Sequence, residues 1–198
     1  MAAYMRDRFT FFGIPTPERR ALIRAALTDL PRPTERELAT IAKRCWARPQ
    51  REFQYFACEY VRKNAKRCSP EFLSTIEWLV THKSWWDTVD DLAHSTGALV
   101  MAHPKLVQTM DEWIAADNLW IARVALIHQL AYKERTDTER LFDYCTRRAG
   151  DTEFFIRKAI GWALRQYAWT DPDAVTAYVA STPSLSALSR REALKNLR

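Results

Sequence analysis

One spacing constrains this chain more than any other feature of it. Arg123, Arg157 and Arg191 recur every 34 residues, and Ala125, Ala159 and Ala193 keep the same register, each followed at once by Leu126, Ile160 or Leu194. Two periods before Ala125 (125 − 68 = 57) stands Ala57, inside Phe53-Gln54-Tyr55-Phe56-Ala57-Cys58. Apolar residues between these anchors recur at three- and four-residue spacing, β-type alternation is absent, and turn signals come too often for long loops. A period of this length holds two helices. A small residue at a fixed place in each unit lets paired helices approach closely, and the aliphatic that follows fills the groove. Such units cannot bury their apolar faces alone, so they stack. The expected fold class is all-α: an α-solenoid of HEAT-like or armadillo-like helical repeats (an α-α superhelix) with a concave basic groove, a single domain over 1–198. A tetratricopeptide array shares the period, but its Trp, Leu-Gly and Tyr pattern is missing.

Helices are expected over 17–30, 34–46, 50–64, 70–82, 84–96, 104–115, 118–132, 137–148, 152–168, 171–180 and 187–197. Several starts carry a proline or a cap: Thr16-Pro17-Glu18, Pro33-Thr34, Ser69-Pro70 and Asp171-Pro172. A chain of 198 residues, 47% hydrophobic with only 4 Gly, can bury a core without disulfides. Cys45, Cys58, Cys68 and Cys145 show no CxxC pairing and no zinc-like spacing with the four histidines, which reads as reduced thiols and a cytoplasmic protein. No apolar run reaches the roughly 18–20 residues of a membrane span, and no signal-peptide core precedes the fold, so no membrane partner is expected. Lys and Arg exceed acids by 30 − 24 = 6, which suits a polyanionic partner and equally suits spare solubilising charge.

The densest chemistry lies in Lys83-Ser84-Trp85-Trp86-Asp87-Thr88-Val89-Asp90. On a helix, Trp86 and Asp90 share one face, while Trp85, Val89 and Leu92 form a neighbouring apolar stripe that enters the core. An aromatic ring beside an acid on a basic protein points to a site that handles positive charge. On the concave side of a solenoid, Arg123 and Trp162 follow at close to one repeat each (123 − 86 = 37, 162 − 123 = 39). Two tryptophans, a carboxylate and an arginine suit damaged DNA. Arginine grips phosphate, ring faces attract cations or polarised C–H groups, and a carboxylate can stabilise an oxocarbenium-like sugar and orient water. A base alkylated at a ring nitrogen is already cationic and leaves without a general acid.

Blander readings stand beside these. Trp86 can be packing, Asp90 a solvated acid, Arg123 half of an internal salt bridge, and Trp162 the end of a Phe155–Ala159–Trp162 core stripe. Asp90 and His94, four residues apart with Asp91 beside them, lack a third ligand at metal-binding spacing, so no metal is expected. His128 holds the register of Trp162 one repeat earlier as partly buried packing; His82 and His103 read as helix-end residues. Tyr4, Thr16 and Arg20 can meet phosphates near a helix start or form a local cap with solvated charge. Lys133 and Arg165 complete the DNA-binding candidates.

Several blocks, in order, resemble the AlkD-like alkylpurine DNA glycosylases: Tyr4-Met5-Arg6-Asp7-Arg8-Phe9 with Gly13-Ile14, Thr16-Pro17-Glu18-Arg19-Arg20, Lys83 to Asp90, Asn118-Leu119-Trp120-Ile121-Ala122-Arg123, Phe154 to Arg165, and Leu188-Ser189-Arg190-Arg191-Glu192-Ala193. The likeness covers nearly the whole chain. It implies a HEAT-like monomer that hydrolyses the N-glycosidic bond of cationic N3- and N7-alkylated purines in double-stranded DNA and leaves an abasic site, with no cofactor. By the same resemblance, Asp90 is the catalytic carboxylate, Trp86 and Trp162 contact the lesion's deoxyribose, Arg123 anchors the groove, and the lesion stays in the stack rather than flipping into a pocket. The chain departs from longer relatives in beginning almost at the Tyr4 block, without a preceding helix, and in stopping soon after the last repeat-like helix. The alternative from a different class is a non-catalytic HEAT-like scaffold that binds nucleic acid or protein through the same face.

Overall fold

Polar caps and prolines start the helices near the places the sequence marks. The computed structural model describes residues 1–197. Pro17 sits in the first turn of α1 (Thr16–Leu27), and a reciprocal Thr34–Glu37 capping box opens α2 (Glu35–Ala47). Helix α3 (Arg51–Asn64) follows, then α4 (Leu73–Thr81) after a 3-10 turn at Pro70–Phe72, and α5 (Trp86–Ala102). A second 3-10 turn, Pro104–Leu106, leads into α6 (Val107–Trp113). Side chains of Asn118, Asp137, Asp171 and Ser186 accept first-turn N–H groups of α7 (Leu119–Ile127), α8 (Thr138–Arg147), α10 (Pro172–Ser181) and α11 (Ala187–Ala193). Helix α9 (Phe154–Tyr167) lies between α8 and α10.

The helices form two layers. Helices α3, α5, α7, α9 and α11 pack side by side in succession, and α2, α4, α6, α8 and α10 back them. The fold is therefore an all-α stack of helical pairs, as the period requires. Ala57, Ala125, Ala159 and Ala193 are all buried, in α3, α7, α9 and α11. The register is hidden only in α5. One period after Ala57 stands Asp91, and the buried alanine of α5 is Ala93 (93 − 57 = 36, 125 − 93 = 32). Two glycines mark the closest approaches. A Cβ on Gly97 of α5 would lie 2.0 Å from the His128 carbonyl oxygen, and one on Gly161 of α9 would lie 2.5 Å from Glu192 Cβ of α11. One hydrophobic cluster runs between the layers from Leu38 to Ala193 and takes in the fully buried Trp46, Phe72 and Tyr144.

Helix ends differ from the expectation for identifiable reasons. Helix α1 stops at Leu27, because Thr28 is extended and Asp29 turns left-handed at φ 62°. Helix α5 starts two residues late and runs six further, to Ala102. The expected 118–132 helix ends at Ile127. Its apolar pattern continues because Gln129 and Leu130 are buried in a turn, where the Gln129 amide bonds both the N–H and the carbonyl of Asp137. The last helix ends at Ala193 rather than 197.

An N-terminal strap lies outside the expected helices. After a 3-10 turn at Ala3–Met5, it crosses α3, where Thr10 bridges Gln50 and the Glu52 carboxylate accepts N–H bonds from Phe12, Gly13 and Ile14 at 3.1, 2.9 and 3.3 Å. Gly13 has φ 89°, a conformation that glycine alone adopts freely. Among the described residues, no helix is long and apolar enough to cross a membrane.

Candidate active site on the inner face

Trp85 is extended (φ −159°, ψ 157°), so α5 begins at Trp86 and the two indoles diverge. This corrects the expected stripe. Val89 and Leu92 enter the core, but Trp85 lies outside the helix and is buried sideways, 5% exposed, against Phe155 and Trp120 at ring separations of 5.0 and 5.8 Å. The Arg8 guanidinium covers its ring at 4.2 Å. Trp86 is half-buried, and the exposed Tyr4 meets it edge-on at 5.8 Å. Asp87, between Trp86 and the core, accepts bonds from Arg51 Nε (3.0 Å), Arg51 Nη2 (2.6 Å) and Tyr55 Oη (2.7 Å). Arg51 is fully buried, donates also to the Lys83 carbonyl, and lies 3.8 Å under the Phe9 ring. The first turn of α5 is thus held by α3 and by the strap.

One turn on, Asp90 receives Arg123 of α7 in a bidentate pair, Nε to Oδ1 at 2.7 Å and Nη2 to Oδ2 at 2.9 Å. The side chains are 16% and 5% exposed. Burial pushes the Asp90 carboxyl up, and the Arg123 bonds and charge pull it back only partly, so it stays above the usual carboxylate range. Arg123, expected to anchor the groove, turns its guanidinium inward. Nη1 donates to the Phe155 carbonyl at 2.5 Å, so Nε, Nη1 and Nη2 are all committed inside the protein. The internal salt bridge is the arrangement found. Arg123, Tyr4, Trp85, Trp86, Phe155 and Lys158 wall a cleft of about 340 Å³.

Trp162 is half-buried against the core and is not among the walls of this cleft. Its flanks are cationic: Lys158 Nζ and Arg165 Nη1 both reach Glu192 of α11, at 3.0 and 2.7 Å. Thr16, Arg19, Arg20, Tyr55, Trp86 and Asp87 lie around a second cleft of about 330 Å³ beside the first. Arg20 is exposed, 3.9 Å from Glu59, and Arg62 pairs with Asp91 at 2.8 Å. His128 is fully buried rather than partly so, its Nδ1 2.7 Å from the Ala125 carbonyl, and burial pushes its pKa down to about 4.

Arg51, Asp87, Phe155, Lys158 and Glu192 were absent from the sequence-derived site. A signal existed for part of this set. Opposite charges about one period apart (87 − 51 = 36, 123 − 90 = 33) fall on adjacent inner helices and meet. The inner face thus offers a partly desolvated anion, aromatic walls and flanking cations. That combination can stabilise a developing positive charge beside a bound polyanion.

Known proteins bear on this geometry. The family described as DNA alkylation repair enzyme matches residues 1–197. A solved structure titled "Predicted DNA alkylation repair enzyme from Enterococcus faecalis" superposes at TM-score 0.90 with 36% identity, over 100% of this chain and 92% of that one. AlkD2 from Streptococcus mutans superposes at TM-score 0.71 over 98% of this chain and 96% of its own, and smu.31 from Streptococcus mutans UA159 at 0.69 over 89% and 92%. Both are 19% identical, which speaks for the fold alone. No curated protein matches the chain.

Proposed function

The chain belongs to the family of DNA alkylation repair enzymes, and from that premise we propose that it is a monofunctional DNA glycosylase acting on cationic N3- and N7-alkylated purines in duplex DNA. The observation that carries this reading is the Asp90–Arg123 pair beside the aromatic cleft. A carboxylate without a bidentate partner would not be held at this depth as an anion. Arg123 keeps it ionised and aimed, and burial limits its solvation.

In the proposed reaction the C1′–N bond breaks, and its electron pair neutralises the departing cationic purine. The sugar becomes oxocarbenium-like, and the Asp90 anion stabilises it. Water adds to C1′ and releases a proton to solvent, giving the free base and an abasic site. Because the leaving group is already cationic, one carboxylate suffices. Trp86 lies against the deoxyribose, Trp162 closes on it from α9 when DNA binds, and Arg123 acts as a positioning residue. The sugar and backbone are engaged from the inner face, with the lesion left in the stack.

The test is release of free 7-methylguanine and 3-methyladenine from methylated duplex, wild type against Asp90→Asn. We expect release by wild type and a loss of about 10²-fold or more in the variant with duplex binding kept. One observation favours a second reading, a non-catalytic scaffold: both Asp90 oxygens are occupied by Arg123. Duplex binding without base release by either protein would establish that reading.

A further inference from the structure

Helix α9 carries more of the inner face than the cleft beside Asp90 uses. Ile156, Ala159, Ile160, Ala163 and Leu164 face the core, and Gly161 faces α11. At ~100° per residue, the arc left over holds Lys158, Trp162, Arg165 and Trp169 in one stripe. Trp169 lies two residues past the end of α9, but the Ala168 N–H still bonds the Leu164 carbonyl at 2.9 Å, so the helical path carries on towards it. Its indole is 72% exposed.

Trp169 also walls a separate cleft of about 260 Å³ together with Gln129, Lys133, Thr136, Gln166 and Thr170. Lys133 stands on the rim with φ 53°, in a turn that presents an exposed ammonium. Trp162 and Trp169 are seven residues apart, about 10 Å along the axis, which matches roughly three nucleotides of a strand at 3.4 Å each.

We propose that this cleft is a second DNA station. It holds the backbone of a nucleotide about three steps from the lesion, with the deoxyribose against the Trp169 indole and the adjoining phosphate on Lys133. The inference rests on the reading of the inner face as the duplex-binding surface. Two independent features select this occupant over a protein segment. Trp169 prolongs the stripe that already holds Trp162, and the Lys133 ammonium beside Gln129, Thr136, Gln166 and Thr170 fits a phosphate, while Leu126, Leu130 and Leu141 in the same lining offer apolar contact to a sugar. Glu134 lies in the same lining and opposes a phosphate, so Glu134→Gln is expected to tighten binding.

The experiment is a binding cycle with duplexes carrying one 7-methylguanine, either flanked by eight base pairs on each side or cut to two base pairs on one side or the other. Wild type should lose roughly five- to tenfold in affinity when one particular flank is cut, the effect of uncovering an indole face. Trp169→Ala should show most of that loss on the long duplex and keep only the small sensitivity to the cut that the Lys133–phosphate contact carries; Trp169→Phe should restore most of the dependence. Lys133→Gln should lower the salt slope of log K by about one, and Trp169→Ala should leave that slope as it was. Wild-type and Trp169→Ala affinities that agree on every duplex, or losses from truncation and mutation that simply add, would overturn the proposal. Base release is measured on the same long duplex. Release without any Trp169 effect would sink this station alone. Flank-dependent binding without release would sink the glycosylase reading and leave the station standing.

Discussion

At the scale of single residues, the site turns on how Asp90 is kept charged. Its carboxyl sits above the ordinary value of 3.8 because burial outweighs Arg123. Activity that needs the anion should therefore fall on the acid side with a midpoint above that value, in single-turnover release measured against pH. Arg123→Gln removes the opposing influence, so the midpoint should move to higher pH and the rate should drop tenfold or more. An unmoved midpoint would deny Arg123 its positioning role. His128 gives a stability prediction of definite sign. Its folded pKa of about 4 lies below the unfolded 6.5, so the unfolded chain binds more protons between those values. Stability is full above about 6.5 and is lost as pH falls towards 4, by up to about 3 kcal/mol. Urea denaturation across that range should show the loss, and His128→Gln should flatten it. The Trp86–Asp90 face was legible from a four-residue spacing. The burial of Arg123 was foreshadowed by its apolar neighbours, since an arginine among them needs a partner. The distance between Trp86 and Trp162 was not legible, because it depends on how two non-adjacent helices are set in three dimensions.

At the scale of elements, helix existence was readable and helix ends were not. Periodicity does not register that Gln129 and Leu130 are buried in a turn, so it carries α7 five residues too far. The strap has no periodicity, and its bonds go to Glu52, some 40 residues away. The close approaches of α5 to α7 and of α9 to α11 yield a prediction. A methyl at Gly97 would meet backbone, which cannot yield, whereas at Gly161 it would meet the Glu192 side chain as well as the Ser189 carbonyl at 2.9 Å. Both Gly97→Ala and Gly161→Ala should destabilise by about 1–3 kcal/mol or more. Only Gly161→Ala should also change duplex binding: displacing the carboxylate that holds Lys158 and Arg165 frees two cations, so binding should tighten and its salt slope steepen. Arg51→Met leaves Asp87 buried without its partner and should cost about 3–5 kcal/mol, read by urea midpoint.

At the scale of the whole molecule, the repeat was visible in the sequence through the alanines of α3, α7, α9 and α11, and was masked where α5 puts Ala93 two residues out of register. The excess of 6 positive charges suggested a polyanion surface, yet Glu59, Asp87, Asp90, Asp91 and Glu192 on the inner helices are each matched to arginine or lysine. Asp87, Asp90 and Asp91 all meet arginines from neighbouring helices, and Glu192 joins two cations. Log affinity for undamaged duplex should then fall with log salt at a slope of roughly −2 to −4, the release expected for a few phosphate contacts rather than a full cationic groove. A slope near −8 would mean that these pairs open on binding.

That pairing also bears on time. A surface on which many cations are already paired has less reason to linger on undamaged backbone. Repair begins with search, and search is limited by how long each wrong site is sampled. Under the proposed function, the ion pairs along the inner helices would make each sampling brief, and the protein would survey many sites in the interval a more adhesive surface spends on one.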